Sequence, residues 1–155
     1  MTDDSGRVHL REVRPEDVDI FFEHQRDEES NRMAAFPPRE RAAHTAHWRD
    51  RILAVETAVA RTVVYDGDVA GNVVSWHDGT HRYVGYWIDK RYWGRGIATR
   101  ALSLLLEELT ERPLHAHVAS HNEGSIRVLE KCGFRRTATE EQDDGFVDVL
   151  MELEA

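Results

Sequence analysis

Residues 87–100 constrain this chain more than any other stretch. An apolar run leads into them and an amphipathic helix pattern leads out. The helix pattern has an apolar stripe at Ala98, Leu102, Leu105 and Leu109, widened by Ala101 and Leu106. Its polar stripe is Arg100, Ser103, Glu107 and Glu111. A strand therefore turns into a helix through Gly94 and Gly96. With no Cβ, the backbone at those positions can approach a ligand closely. The first N–H groups of a helix lack an intrahelical acceptor, and the positive end of the helix dipole lies there too. Such a turn suits a phosphate. Lys90, Arg91, Arg95 and Arg100 cluster around it in a chain whose net charge is −9. A basic cluster at one helix start in an acidic protein reads as a local anion site.

The kind of phosphate is narrowed by what is missing. Gly-x-x-x-x-Gly-Lys-[Ser/Thr] is absent, which disfavours a nucleoside triphosphate loop. The dinucleotide pattern Gly-x-Gly-x-x-Gly is broken, because its third glycine would fall at Thr99. What remains is Arg91-x-x-Gly94-x-Gly96, which resembles the pyrophosphate-binding motif of the GNAT superfamily of acetyl-CoA-dependent N-acetyltransferases. Gly85-Tyr86-Trp87-Ile88 followed by residues 92–99 is most similar to the RimJ/RimL branch, the ribosomal-protein alanine acetyltransferases. A second block matches at Asn122-x-x-Ser125-x-x-Val128-Leu129-Glu130-Lys131-x-Gly133-Phe134, and a third, weaker one at Arg11-x-x-Arg14-Pro15-Glu16-Asp17. Together they span nearly the whole chain.

The resemblance implies an α/β (α+β), GNAT-like fold. Its central sheet would be mixed, mostly antiparallel and splayed, with about seven strands flanked by about four helices. It implies acetyl-CoA as cofactor, bound by Trp87, Ile88, Arg91, Gly94, Arg95, Gly96, Ile97, Ala98 and Thr99, with Asn122 and Ser125. The pantetheine arm would lie where the strand ending at Ile88 parts from the strand starting at Leu114, bonded like a further strand. The implied reaction moves an acetyl group to a primary amine, on a peptide N-terminus or a small molecule, by direct transfer in a ternary complex. The competing reading is a CoA-binding sensor or interaction module of the same fold.

Acetyl transfer needs a neutral amine, a polarised carbonyl and a stabilised thiolate. By resemblance, backbone amides near Ile88 would hold the carbonyl, and Asn122 would meet the pantetheine or a bridging water. Ser125 lies one helical turn on. Asn122 and Ser125 equally suit a helix N-cap and a first-turn polar residue, and the roles are compatible. Many relatives carry a tyrosine acid where this chain has Leu129. Many also carry a glutamate on the strand before the glycine turn, where this chain has Arg82-Tyr83-Val84-Gly85. His117, five residues before Asn122, takes a place where some relatives hold a basic glutamate. An imidazole with a pKa near ~6.5 can serve as a base, although a strand histidine bonded to backbone fits the position too. The catalytic candidates are therefore His117, Ser125 and Asn122. His115 with His117, and His44 with His47, have metal-compatible spacing, but no carboxylate or cysteine completes either set, and no metal is expected. Cys132 reads as a structural thiol. Trp48, Trp76, Trp87 and Trp93 read as walls of the core or of the cofactor site.

Along the chain, a strand is expected at 8–13 and a helix opening at Pro15 that fades near 27–30. Residues 28–33 are expected to be a flexible stretch at the acceptor mouth, offering Glu28 and Glu29 to a cation and Met33 to apolar groups. A second helix should run from 39 to about 55. Strands follow at 57–65, 69–76 and 83–88, with turns at Asp66-Gly67 and Asp78-Gly79. After the central helix come a strand at 114–119, a helix capped by Asn122, and a strand pair at 134–139 and 146–153 around Asp144-Gly145. The 155 residues are the size of one ordinary domain, so a single acetyltransferase domain over 1–155 with a loose tail at 1–6 is expected. No apolar run approaches the ~20 residues of a membrane span. The acidic, polar start is unlike a signal peptide, and one cysteine forms no internal disulfide, so a cytoplasmic protein is expected. The acidic balance argues against nucleic-acid binding. The partner expected is the amine substrate, with a homodimer carried as the assembly.

Overall fold

The computed structural model describes residues 7–143 and 145–154. The tail expected at 1–6, and Asp144 of the expected last turn, lie outside the described residues. Strands β1 (Val8–Glu12), β2 (Val59–Tyr65), β3 (Asp68–His77), β4 (Arg82–Ile88), β5 (Leu114–Ala119), β6 (Arg135–Glu141) and β7 (Val147–Leu153) form one sheet in the order β1-β2-β3-β4-β5-β7-β6. Every neighbouring pair is antiparallel except β4 and β5. The α-helices described are α1 (Pro15–His24), α2 (Glu28–Ala34), α3 (Arg41–His47), α4 (Ile97–Glu108) and α5 (Glu123–Lys131). This is the mixed, GNAT-like fold expected, with five helices where about four were expected. No helix among the described residues is long and apolar enough to cross a membrane.

The additional helix corrects the flexible stretch expected at 28–33. Asp27 accepts hydrogen bonds from the Ser30 amide (2.9 Å) and the Ser30 hydroxyl (2.7 Å), so the chain restarts a helix where the first one ends. Glu28 and Glu29 then sit in the first turn, where the dipole favours them. The helix expected over 39–55 is two pieces. After α3 the winding widens to π-helical turns at Trp48–Leu53, and the Ala54 amide reaches back five residues to the Arg49 carbonyl (3.1 Å). The Asp66-Gly67 hairpin forms as expected, with both residues at positive φ.

Each face of the sheet carries a core. On one, α4 buries Ile97, Ala101, Leu102 and Leu105 against Val63, Val73, Val84, Ile88, Leu114 and Met151. On the other, Val18, Phe21 and Trp48 cover Ala60 and Val74. Asp17 ties α1 to that face. Arg11 binds its carboxylate twice (2.6 and 2.9 Å), and the Arg14 amide (2.8 Å) and the Thr62 hydroxyl (2.7 Å) donate to it as well. Burial alone would raise the Asp17 carboxyl, but these hydrogen bonds hold it below the usual carboxylate range.

Strands β4 and β5 pair only through Arg82–Leu114 and Tyr83–His115, and beyond those two pairs they part. Arg82, the residue at the root of the split, is 7% exposed. Its guanidinium binds Thr57 O (2.6 Å), Ser75 Oγ (3.0 Å) and Glu111 (2.9 Å). The strand position where a carboxylate was sought thus holds a structural cation.

Candidate active site

The split, the glycine turn and α5 enclose a groove of about 430 Å³. Its walls come from Tyr86 to Ile88 on β4, Gly94 and Gly96 in the turn, Ile97 to Thr99 at the start of α4, Asn122, Ser125 and Val128 at and along α5, and Ser30 and Met33 on α2. Gly94 and Gly96 have φ of 76° and 78°, and a Cβ built on either would meet no atom within 4 Å. The left-handed backbone calls for glycine at both positions, and the space beside them is open to a ligand. Gly96 is the N-cap of α4, with no side chain capping the helix and no acidic residue in its first turn. The first turn of this 12-residue helix, whose leading amides have no intrahelical acceptor, lines the groove.

Of the residues singled out in the sequence, Trp87, Ile88, Gly94, Gly96, Ile97, Ala98, Thr99, Asn122 and Ser125 line the groove together. Arg91 and Arg95 are exposed and stand outside the lining. Arg91 is bound to Asp89 (2.8 Å), and the Arg95 guanidinium lies 5.7 Å from the centre of the Tyr65 ring. Lys90 is taken up by Glu29 (2.6 Å), so Glu29 is not the free carboxylate expected at the mouth. Arg127 and Lys131, on α5, are the cations that line the groove among the described residues. Ile88 O, near which the sequence reading placed a carbonyl-binding amide, accepts the Trp93 indole N–H (2.9 Å). Trp93 and Trp87 wall the groove and Trp48 is in the core, but Trp76 is 41% exposed and stacks on Tyr83, which corrects its assignment as a wall.

On α5 the Asn122 side chain accepts from the Ser125 amide (3.2 Å), so it is the N-cap. Ser125 Oγ is 2.5 Å from the Tyr86 hydroxyl. Burial raises the Tyr86 phenol to about 12, against a smaller opposing pull from the Ser125 hydrogen bond. The sequence reading missed Tyr86, Arg127 and Lys131. The signals were present: Tyr86 is two residues from Ile88, hence on the same face of β4, and residues 124, 127, 128 and 131 form one stripe of α5. Leu129 is in the core, so α5 presents no phenol, and β4 presents one instead. Cys132 is half-buried beside Ser103 and Thr99, and burial pushes its thiol up.

His117 is exposed on the other face of the sheet. Its ring meets Tyr83 edge-on at 5.1 Å, and Tyr83, like Trp87, alternates away from Tyr86. It stands two residues beyond His115 of the last β4–β5 pair, at the mouth of the split. His81 and His115 complete a ring cluster with Tyr83. Among the described residues no group of three or more His, Cys, Asp or Glu is arranged to hold a metal ion.

Residues 7–135 match the acetyltransferase (GNAT) domain. The chain is 41% identical over 58 residues to the "Probable N-acetyltransferase YjcK" of Bacillus subtilis (strain 168). That match covers 35% of this chain and spans about a third (32%) of the relative's length. The aminoglycoside acetyltransferase AAC(6')-Ib in complex with coenzyme A superimposes with a TM-score of 0.80 at 21% identity, covering 95% of this chain and 94% of that one. RimL, the ribosomal L7/L12 alpha-N-protein acetyltransferase, superimposes with a TM-score of 0.81 at 16% identity, covering 98% and 92%. At these identities the likeness is one of fold.

Proposed function

Since this chain belongs to the GNAT acetyltransferase family, we propose that it transfers an acetyl group from acetyl-CoA to a primary amine by direct attack in a ternary complex. The observation that carries this reading is the parting of β4 from β5 directly beside a glycine turn whose Cβ positions are open space. The residues fit the cofactor. Gly94, Gly96 and the leading amides of α4 suit a pyrophosphate, and Arg127 and Lys131 add positive charge to the groove. The free edges of β4 and β5 suit the amides of a pantetheine arm. When bound, acetyl-CoA supplies an electrophilic carbon and a thiolate leaving group: a C–N bond forms, a C–S bond breaks, and the proton lost by the amine balances the one the sulfur takes up.

The chain's own residues divide by sheet face. On the groove side, the hydrogen-bonded pair of Ser125 and Tyr86 hydroxyls has one hydrogen left to offer a developing negative charge. On the other side, His117 stands at the mouth of the split, and we assign it the removal of the amine proton. An α-amino group has a pKa near ~8 and a lysine amine near ~10.4, so the former needs less from a single imidazole. This favours α-amino or similarly weakly basic acceptors, in keeping with the resemblance to the RimJ/RimL branch.

Thermal unfolding tests the reading first. Acetyl-CoA at a hundredfold excess over Kd should stabilise the fold by about 2.7 kcal/mol, and ATP and NAD should do much less. Gly96→Val, which forces a β-branched residue to positive φ, should remove the effect. CoA release is then followed with a short peptide bearing a free N-terminus and no lysine, and with its N-blocked, lysine-bearing counterpart. Binding without CoA release from any amine would favour the sensor reading, and faster reaction of the blocked peptide would overturn the α-amino preference.

A further inference from the structure

The hydroxyl pair in the groove has a direction. Ser125 is held at its backbone by the Asn122 cap, yet a cap leaves the hydroxyl rotor free. The atom that meets this rotor is the Tyr86 hydroxyl, 2.5 Å from Oγ. The phenol's other acceptor within reach is the Ser125 carbonyl, at a poor 3.5 Å. A phenol is the better acid of the two hydroxyls, so Tyr86 donates and Ser125 Oγ accepts. Burial keeps the phenol protonated, and hence a donor, across the neutral range. With Oγ accepting from Tyr86, the Ser125 hydrogen is free to turn toward the groove that Ser125 lines.

We infer that Tyr86 is a positioning residue. Reaching from β4 to α5, it fixes the Ser125 hydroxyl as a hydrogen-bond donor to the sulfur end of an acyl thioester. The inference rests on the acetyltransferase reading. It requires neither residue to give up its proton: Ser125 stabilises charge on sulfur by hydrogen bonding, and Tyr86 strengthens that bond by polarising the same hydroxyl. It also accounts for Leu129 lying in the core of a helix that still presents a hydroxyl to the groove.

The experiment is a double-mutant cycle on the full chain with Tyr86→Phe, Ser125→Ala and the double variant, each checked by its melting curve. Calorimetry with CoA alone comes first, since a wild-type chain that takes no CoA overturns the acetyltransferase reading and this inference with it. The ultraviolet absorbance of the thiolate then gives the titration midpoint of bound CoA, a readout independent of turnover. Ser125→Ala should raise that midpoint by about one pH unit and lower kcat about tenfold, the worth of one hydrogen bond to a charged group. Tyr86→Phe, which keeps the ring and its packing, should lower kcat about fivefold with KM for acetyl-CoA unchanged. In the Ser125→Ala background the same change should cost less than about twofold. Equal losses in both backgrounds would make Tyr86 a packing residue and overturn the inference, as would a Tyr86→Phe chain with an unmoved thiol midpoint and full kcat.

Discussion

At the scale of single residues, the proposed chemistry uses side chains on both faces of the sheet. His117 and Tyr83 share one face of the split, and Tyr86 and Ser125 share the other. His117→Gln keeps a polar side chain of similar reach but removes the base. It should lower kcat by about a hundredfold, flatten the acid limb of the pH–rate profile and leave acetyl-CoA affinity within about twofold. An unchanged pH profile would assign proton removal to water or to another group. The groove residues on the glycine turn and at the start of α5 were readable in the sequence, because glycine spacing and a capping asparagine announce backbone geometry. The phenol was not. It was sought along α5, where Leu129 stands, whereas three-dimensional packing supplies it from β4, a strand whose sequence says which face Tyr86 takes but not which helix covers that face. The basic residues mislead for a related reason. Charge is visible in a sequence, but the partner that claims it, Asp89 for Arg91 or Glu29 for Lys90, is not.

At the scale of elements, α4 is both the floor of the groove and the largest contributor to the core on its side. Ile97, Ala101, Leu102 and Leu105 are each at most 1% exposed. Leu105→Ala should cost about 2–5 kcal/mol in denaturant unfolding, because close neighbours cannot collapse into the vacated volume. A loss below about 1 kcal/mol would mean that the packing between α4 and the sheet is looser than described. This helix was legible from its periodicity, and so were the Asp66-Gly67 hairpin and the strand entering the glycine turn. Helix α2 was not. Its seven residues hold little apolar pattern, and what supports it is local capping by Asp27 together with distant contacts, including His121 Nε2 against the Arg32 carbonyl (2.7 Å). The π-helical turns after α3 were equally hidden, since a one-residue change in hydrogen-bond spacing leaves no compositional mark.

At the scale of the whole molecule, pH acts through buried histidines. His44 is fully buried between Phe22 and Trp48, and burial, helped by Arg39, His47 and Arg41, lowers its pKa to about 4. The unfolded chain takes up that proton near pH 6.5, so between the two values protonation favours unfolding, and stability falls as the pH falls. The cost is on the order of 3 kcal/mol. His24 and His47 are lowered as well and act in the same direction, while Asp17 adds its loss only further down, as pH drops through the carboxylate range. His44→Leu should therefore flatten the slope of unfolding free energy between pH 6.5 and about 4, and an unchanged slope would locate the effect in the other two. The strand count and the final antiparallel pair were readable from alternation and turn residues. The order in which β7 lies between β5 and β6 was not, because pairing depends on which edge is open when the chain returns. The two-rung join between β4 and β5 also bears on cooperativity. Four strands on one side and three on the other share two rungs of the ladder, the core under α4 and a few side-chain contacts such as Tyr86 with Ser125, so this join is the place where the sheet has least backbone pairing to hold it. A molecule laid along the gap as an extra strand would stitch the halves into one cooperative unit, and amide exchange would slow together on both banks of the gap, well away from any atom that reacts.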